Sequence, residues 1–525
     1  MITCLRKFFF AKKILFGSFL LIFHLVSTAQ TIPVGSLLDE AMRSIQLTGK
    51  LDSLVSFTVR PLASSAKIPG RSIYSFIDSA ELGDQPSSYV WGKYGQLTVL
   101  PVTLIQQYNT HHPYGWNDGA MIAAKGYQTL VSAGLYASIG PLELQLQPEL
   151  VYAANPSYET TNEYGTNPIG SYSKVFLGQS SIRLTVGAVS AGLSTENLWW
   201  GPGIHSSLLM SNNAPGFLHG FFSSKKPVKS GIGSFEWQLI GAKLTSNNTE
   251  PYENYNLKTA FLTGGSRYLS AFVVTYHPKW VPGLFLGMTR ALQRYKQDII
   301  LSGSSLLSQY IPVLVKPFQK QNAQSDDTMH TDQLASFFLR WVLPKTQMEF
   351  YIEYGYNDYG QNIRDYVMSP THSAAYIIGF KKILELKQND HLDLGFEMTQ
   401  MSQSPDYLVR DAGNWYVHSQ LKQGYTSENQ ILGAGAGLGC NVQTATATWV
   451  KGWKQLGVLF ERVERDPLYH PYKWIDLSIG ILPQYKYKNM VLSGLFQFIN
   501  SSQYAWQQGV NRFNLHSRLS IQYFL

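Results

Sequence analysis

Residues 194–217 read STENLWWGPGIHSSLLMSNNAPGF, and they concentrate the groups best suited to recognising a ligand. Trp199-Trp200 leads into Gly201-Pro202-Gly203, and Ser211-Asn212-Asn213 and Phe217 follow. Aromatic faces stack on the C–H faces of sugar rings, while Asn and Ser offer the donors and acceptors that match hydroxyls. The segment therefore reads as a polysaccharide-binding site. It also reads as a loop folded into the molecule that constricts it and packs on its own Trp and Phe. Both readings can hold together.

Other candidates for chemistry are weaker. The chain has no nucleophile elbow, phosphate-binding Walker loop, zinc signature or calcium-binding EF-hand loop. His111 and His112 are adjacent, so on a strand their rings face opposite sides. A loop surface is the expectation there, not a metal pair. Asp326-Asp327 lies in a polar stretch and reads as a solvated loop. Glu349 and Glu353 could pass for the acid and base of a glycosidase. They fall on the same face of one period-two segment, which makes them lining residues of an interior. Gly433 to Gly439 (GAGAGLG) lacks the Lys-Ser/Thr ending of a phosphate loop, and alternating glycines in a strand make room for crowded side chains or a bend. No catalytic residue, metal site or cofactor is expected.

The elements that must carry these residues are strands. Leu142, Leu144 and Leu146 alternate with Glu143, Gln145 and Gln147. Met348, Phe350, Ile352, Tyr354 and Tyr356 alternate with Glu349, Tyr351, Glu353 and Gly355. Leu392 to Met398 repeats the pattern against Asp393, Gly395 and Glu397. This period of two is the strand signature. Short turns such as Gly140-Pro141, Leu343 to Thr346 and Gln388-Asn389-Asp390 join neighbouring runs. Long polar stretches such as Pro251 to Ser266 and Pro317 to Gln333 join others. Short turns at one end and long loops at the other describe an outer-membrane β-barrel. About sixteen to eighteen strands of ten to thirteen residues are expected. Tyr108, Trp116, Trp280, Trp341, Tyr356, Trp449 and Trp474 near strand ends would form its aromatic girdles. The last run, Arg518 to Leu525, alternates to the end and would close the barrel onto its first strand. A soluble sandwich or propeller also alternates, but its strands are shorter.

Composition agrees. The 525 residues include 32 Tyr, 27 Phe and 12 Trp, so aromatics equal charged residues at 14% each. Neither disorder nor a helical membrane bundle fits, because beyond the N-terminus no apolar run reaches the length of a spanning helix. The N-terminus itself carries Arg6, Lys7, Lys12 and Lys13 before the apolar run Ile14 to Val26. It ends Ser27-Thr28-Ala29. Residues 1–29 thus read as a secretory signal peptide cleaved after Ala29. They hold four of the basic residues and no acidic one, which leaves 38 basic against 34 acidic side chains. The net charge of +8 therefore gives no support to nucleic acid as a partner. Cys440 is then the sole remaining cysteine.

Residues 30–90 differ. Leu37, Leu38, Ala41, Met42, Ile45 and Leu47 lie near helical spacing, with Ser36 as cap, Asp39 and Glu40 in the first turn and Gly49 as stop. A short helical segment, periplasmic or plugging the lumen, is expected before a barrel over residues 91–525.

The block STENLWWGPG…LLMSNNAPGF closely resembles the signature of the Wzi capsule-assembly family. Asn117-Asp118-Gly119-Ala120, Gly126-Tyr127-Gln128, Gly140-Pro141, Pro148-Glu149, Arg60-Pro61 and Gly433 to Gly439 are similar to further pieces of it. The resemblance runs from about residue 35 to the C-terminus. It implies an all-β transmembrane antiparallel barrel of about eighteen strands with a small N-terminal helical part, in the outer membrane. It implies a lectin-like, non-enzymatic role in which capsular or exopolysaccharide is held at the cell surface and capsule assembly is assisted. Trp199, Trp200, Gly201, Pro202, Gly203, Ser211, Asn212, Asn213 and Phe217 carry over as motif positions. Outer-membrane lipid and polysaccharide export machinery are the further expected partners. An outer-membrane pore for small solutes or polysaccharide is the alternative, and an outer-membrane hydrolase is a third reading that lacks its residues.

Overall fold

A computed structural model of the chain describes residues 31–51, 54–63, 88–91, 95–159, 170–246, 266–296, 311, 313, 331–357, 371–387, 390–403, 413–418, 421, 423–467 and 470–525. The signal peptide, Asp326-Asp327 and most of residues 64–90 lie outside them.

Eighteen antiparallel strands close into a barrel. The first six are β1 (Gly95–Asn109), β2 (Gly126–Ile139), β3 (Leu142–Leu146 and Glu149–Ala153), β4 (Tyr172–Phe176 and Ser181–Val186), β5 (Val189–Ser194) and β6 (His219–Ser224). The next six are β7 (Gly233–Leu244), β8 (Arg267–Pro278), β9 (Leu284–Tyr295), β10 (Thr331–Leu343), β11 (Met348–Asn357) and β12 (Ala374–Glu385). The last six are β13 (His391–Gln400), β14 (Asn441–Lys451), β15 (Lys454–Arg465), β16 (Trp474–Tyr487), β17 (Met490–Ser502) and β18 (Arg512–Tyr523). Each pairs with the next, and β18 returns to β1 with Tyr523 opposite Val102 and His516 opposite Asn109. No edge is left at the closure, as lipid demands.

The alternation is inside out relative to a soluble protein. On β3, Leu144 is 48% exposed, while Glu143 next to it is 1% exposed. Ile182, Leu184, Phe337, Phe460, Ile479 and Leu519 repeat the exposed apolar set on other strands. Glu349, Arg340 and Asp476 repeat the buried polar set. An apolar wall of this extent is stable only against hydrocarbon. Among the described residues no helix is long and apolar enough to cross a membrane.

Four features depart from the expectations. β3 and β4 are each broken, β3 at Gln147-Pro148, where proline cannot donate to the ladder. β5 stops at Ser194, because the chain leaves the wall and turns inward. Trp116 and Trp474 are not girdle residues: Trp116 packs against the interior core and Trp474 is fully buried. Gly433 to Gly439 is an inward loop and not a strand.

The N-terminal helix α1 spans Leu37–Leu47, with the Ser36 side chain accepting from the Asp39 amide and Gly49 following in the left-handed region at φ +72°. Leu38, Met42 and Leu47 are buried, but so are Asp39, Arg43 and Gln46 on its polar face. A surface helix would leave that face to water. Here one side packs with Trp453, Val491 and Phe524, and Leu47 packs with Phe285, Val342 and Ile383. All of these sit at the short-turn end of the wall. The penultimate Phe524 therefore points into the barrel, and Leu525 is the exposed terminal side chain.

Candidate functional site

The inward chain after β5 begins at Thr195, whose amide donates to the Ser180 carbonyl at 2.8 Å. Asn197 then ties the two arms of the loop. Its Nδ2 donates to the Ala214 carbonyl at 2.7 Å, and its Oδ1 accepts from Gln179 at 2.7 Å. Trp199–Trp200 forms a two-residue strand against Val59–Arg60 of the N-terminal segment. The loop from the long-loop end and the segment from the short-turn end thus meet inside the barrel and share a sheet. The Gly201 amide continues the contact to the Thr58 carbonyl at 2.9 Å, and the Trp200 amide bonds Met210 at 3.0 Å.

The Trp-Trp-Gly-Pro-Gly corner exposes its carbonyls to two guanidinium groups. Arg43 donates to the Pro202 carbonyl at 2.6 Å and the Gly203 carbonyl at 3.3 Å. Arg60 donates to the Gly203 carbonyl at 3.2 Å. Each cation has its own carboxylate: Arg43 pairs with Glu349 at 2.7 Å and Arg60 with Asp39 at 2.9 Å. Arg340 makes a second pair with Glu349 and reaches Gln46 at 2.8 Å. Burial pulls Arg60 below the usual guanidinium value although Asp39 opposes it. Burial pulls hardest at Arg43 too, but Glu349, Tyr351 and Glu397 together outweigh it and the net shift is upward. Fixed charges in fork geometry satisfy bent backbone carbonyls better than water could at this depth.

The glycines are there for proximity. Gly201 has φ +122°, and a Cβ there would lie 2.8 Å from Glu353 Oε2. A Cβ on Gly203 would meet the Ser206 carbonyl at 1.9 Å. Glu353 accepts from Ser336 and from the Leu208 amide, and Glu397 accepts from Tyr351 and from the amides of Ile204 and His205. These inward carboxylates hold loop backbone.

The second half of the motif packs on the glycine run. Ser211 donates its amide to Leu432, and Asn213 Nδ2 donates to Ile431 at 3.0 Å. Asn212 donates to the Asn117 carbonyl at 3.0 Å and accepts from the Gly119 amide at 2.7 Å. A Cβ on Gly433 would lie 2.3 Å from the Leu208 carbonyl, and one on Gly435 would lie 2.2 Å from Asn213 Oδ1. Three inward loops, 110–125, 195–218 and 431–440, are thereby laced together.

The structure brings the expected motif residues together but faces them inward. Trp200 is 0% exposed and donates its indole N–H to Gln238 at 2.9 Å. Trp199 is 3% exposed under the Arg60 guanidinium, 4.6 Å from its ring centroid. Ser211, Asn213 and Phe217 are also buried, and Asn212 is half-buried. None presents an open aromatic face for stacking. His112 likewise is no surface residue. It packs fully buried on Trp474 and Tyr504, and burial pushes its imidazole down to about 3. Among the described residues no three His, Cys, Asp or Glu side chains gather as a metal site. The buried partners Arg43, Gln238 and Glu397 lie outside any local sequence motif. Arg60-Pro61, by contrast, carried a local signal in the sequence.

The family model described as capsule assembly protein Wzi matches residues 110–503, three quarters of the chain. This chain belongs to the Wzi capsule assembly family. Among solved structures it is similar to a protein of Escherichia coli described as Wzi, an outer-membrane protein involved in group 1 capsule assembly and a carbohydrate-binding β-barrel. Identity is 12% and the TM-score 0.63, with 95% of this chain and 100% of that one covered. Acinetobacter baumannii OccAB4 (11% identity, TM-score 0.38, 84% and 98% covered) and Pseudomonas aeruginosa OccK5 (9%, 0.41, 82% and 98%) are more distant. No curated protein sequence matches the chain. The chain is a Wzi-family β-barrel of the outer membrane, and Trp199–Trp200 lies at the junction of its inward loop and N-terminal segment.

Proposed function

We propose that this protein holds capsular or exopolysaccharide at the cell surface and assists capsule assembly, without catalysis. The observation that carries this reading is the sheet shared by Trp199–Trp200 and Val59–Arg60 inside the barrel. A barrel whose interior is cross-braced between its two ends suits an anchor and does not suit a pore. The carbohydrate binding described for the E. coli relative supplies the ligand class. Trp199, Trp200, Gly201, Pro202, Gly203, Ser211, Asn213 and Phe217 act as the brace that sets the outer loops, and the sugar meets the loop surface above them. Asn212, the half-buried member, is the motif residue nearest to that role. The described part of residues 30–90 serves as the plug, and export machinery docks at the short-turn end.

The absence of turnover rests on chemistry. Glu353 and Glu397 are engaged by loop amides, Glu349 by two arginines, and burial pushes the Cys440 thiol up to about 12, where it is no nucleophile. Planar-bilayer recording of the full chain tests the central part of the reading. The expected trace shows no steady ohmic current, and a stable open conductance from the unmodified protein would overturn the anchor in favour of the pore.

A further inference from the structure

The rim at the short-turn end has an uneven charge. Going round the barrel from the β6–β7 turn to the β16–β17 turn, six consecutive turns each carry an exposed lysine: Lys229, Lys279, Lys345, Lys387, Lys454 and Lys488. Among the described residues the only exposed acid at these turns is Glu385, and Asp390 is half-buried and paired with Lys451. The β2–β3 and β4–β5 turns, Gly140-Pro141 and Gly187-Ala188, carry none. The positive charge is therefore an arc along one side of the wall.

Where the ammonium groups point decides what the arc meets. Lys382 falls on the same face of β12 as Phe380 and Leu384, both exposed. Lys451 shares the outward face of β14 with Trp449, and Lys454 that of β15 with Leu456 and Val458. Lys454 Nζ lies 5.4 Å from the Tyr485 ring centroid, and Lys488 Nζ lies 5.5 Å from that of Tyr487. Both rings are half exposed on the lipid side of β16, in line with Leu477, Ile479 and Ile481. Trp280, 69% exposed, stands at the same end beside Lys279. Interfacial Tyr and Trp mark the headgroup level, and lysines beside them reach the same depth.

We propose that this arc binds the phosphate headgroups of anionic phospholipids in the leaflet that meets the short turns. An acidic polymer approaching the interior would need lysines turned toward the lumen, and the placement of Lys454 and Lys488 beside the outward rings of Tyr485 and Tyr487 argues against that occupant. Lysines near an anionic bilayer surface strengthen association by about fivefold each, and the attraction weakens with salt.

The test is native mass spectrometry of the full chain taken from an equimolar mixture of phosphatidylglycerol and phosphatidylcholine. The unmodified protein should retain phosphatidylglycerol over phosphatidylcholine by about fivefold or more. The sextuple variant Lys229→Gln, Lys279→Gln, Lys345→Gln, Lys387→Gln, Lys454→Gln, Lys488→Gln should lose that preference, and the matching Lys→Arg variant should keep it. Heat-dependent gel mobility confirms that the barrels are folded. Should the sextuple variant not fold, Lys454→Gln alone is expected to reduce the preference measurably. Equal retention of the two lipids by the unmodified protein, or a preference that survives the Gln substitutions, would overturn the proposal. So would lysine-dependent capture of polygalacturonate without a phospholipid preference, which would assign the arc to an acidic polymer. None of these results bears on surface polysaccharide retention, so this proposal and the anchor reading fail independently.

Discussion

Glu349 carries the heaviest electrostatic load in the interior. It is fully buried between Arg43 of α1 and Arg340 of β10, and it bonds both. Glu349→Gln keeps the shape and removes the only charge that the pair shares. Leaving buried guanidinium groups without their counter-charge is expected to cost about 3–5 kcal/mol. The urea midpoint of folding in detergent reads this out, and a shift no larger than that of an outward-facing control would contradict it. The sequence places Glu349 and Glu353 on one inward face, and the structure agrees. What it could not convey is that Glu349, Glu353 and Glu397 also bind Arg43, the Leu208 amide and the Ile204 amide, because these partners are 145 residues or more distant along the chain. The same limit hides the fate of Trp199 and Trp200. Their types suit a sugar face, but whether a tryptophan stacks on ligand or on protein is set by what folds over it. Here that is Arg60 and Gln238.

Among the elements, the loops of the outer end form a packed layer of their own. His112 sits beneath Tyr504 and Trp474, and His470 stacks on Trp506 at 3.8 Å. Burial holds His112 neutral down to about 3. The unfolded segment takes up a proton near 6.5, so between those values it binds more protons than the folded one. The layer should therefore lose stability as pH falls from about 6.5 toward 3, by up to about 1.4 kcal/mol per pH unit from this group. Hydrogen exchange at residues 110–116 should speed up over that range, and His112→Phe should flatten the response. Rates independent of pH, after correction for intrinsic exchange, would contradict it. Alternation made the strands legible, and Ser36 with Gly49 made α1 legible. The early end of β5 was hidden, because it answers to a segment leaving the wall, whereas Pro148 marks the break in β3 within the sequence itself. Trp474 misled for a related reason: a tryptophan at a strand end serves a girdle or an inner cluster according to the parity of one residue.

At the scale of the whole molecule the barrel inverts the usual distribution of polarity. Exposed Leu, Ile, Phe and Tyr form the lipid wall, while Asn, Gln, Glu and Arg with inward loops fill the interior. Equal shares of aromatic and charged residues were the early sign of this, since the charges are reserved for the interior and the rims. The net charge alone said little, but its placement along six neighbouring turns gives the surface a side that faces phospholipid. The interior brace makes the barrel a platform, and the central claim is that the platform keeps polymer on the cell. Fractionation of polysaccharide from a strain lacking this protein tests that claim most directly. The account predicts unchanged total polymer, with the cell-bound fraction released into the medium and restored by the unmodified chain. A fall in total export, with polymer accumulating inside the cell, would contradict it.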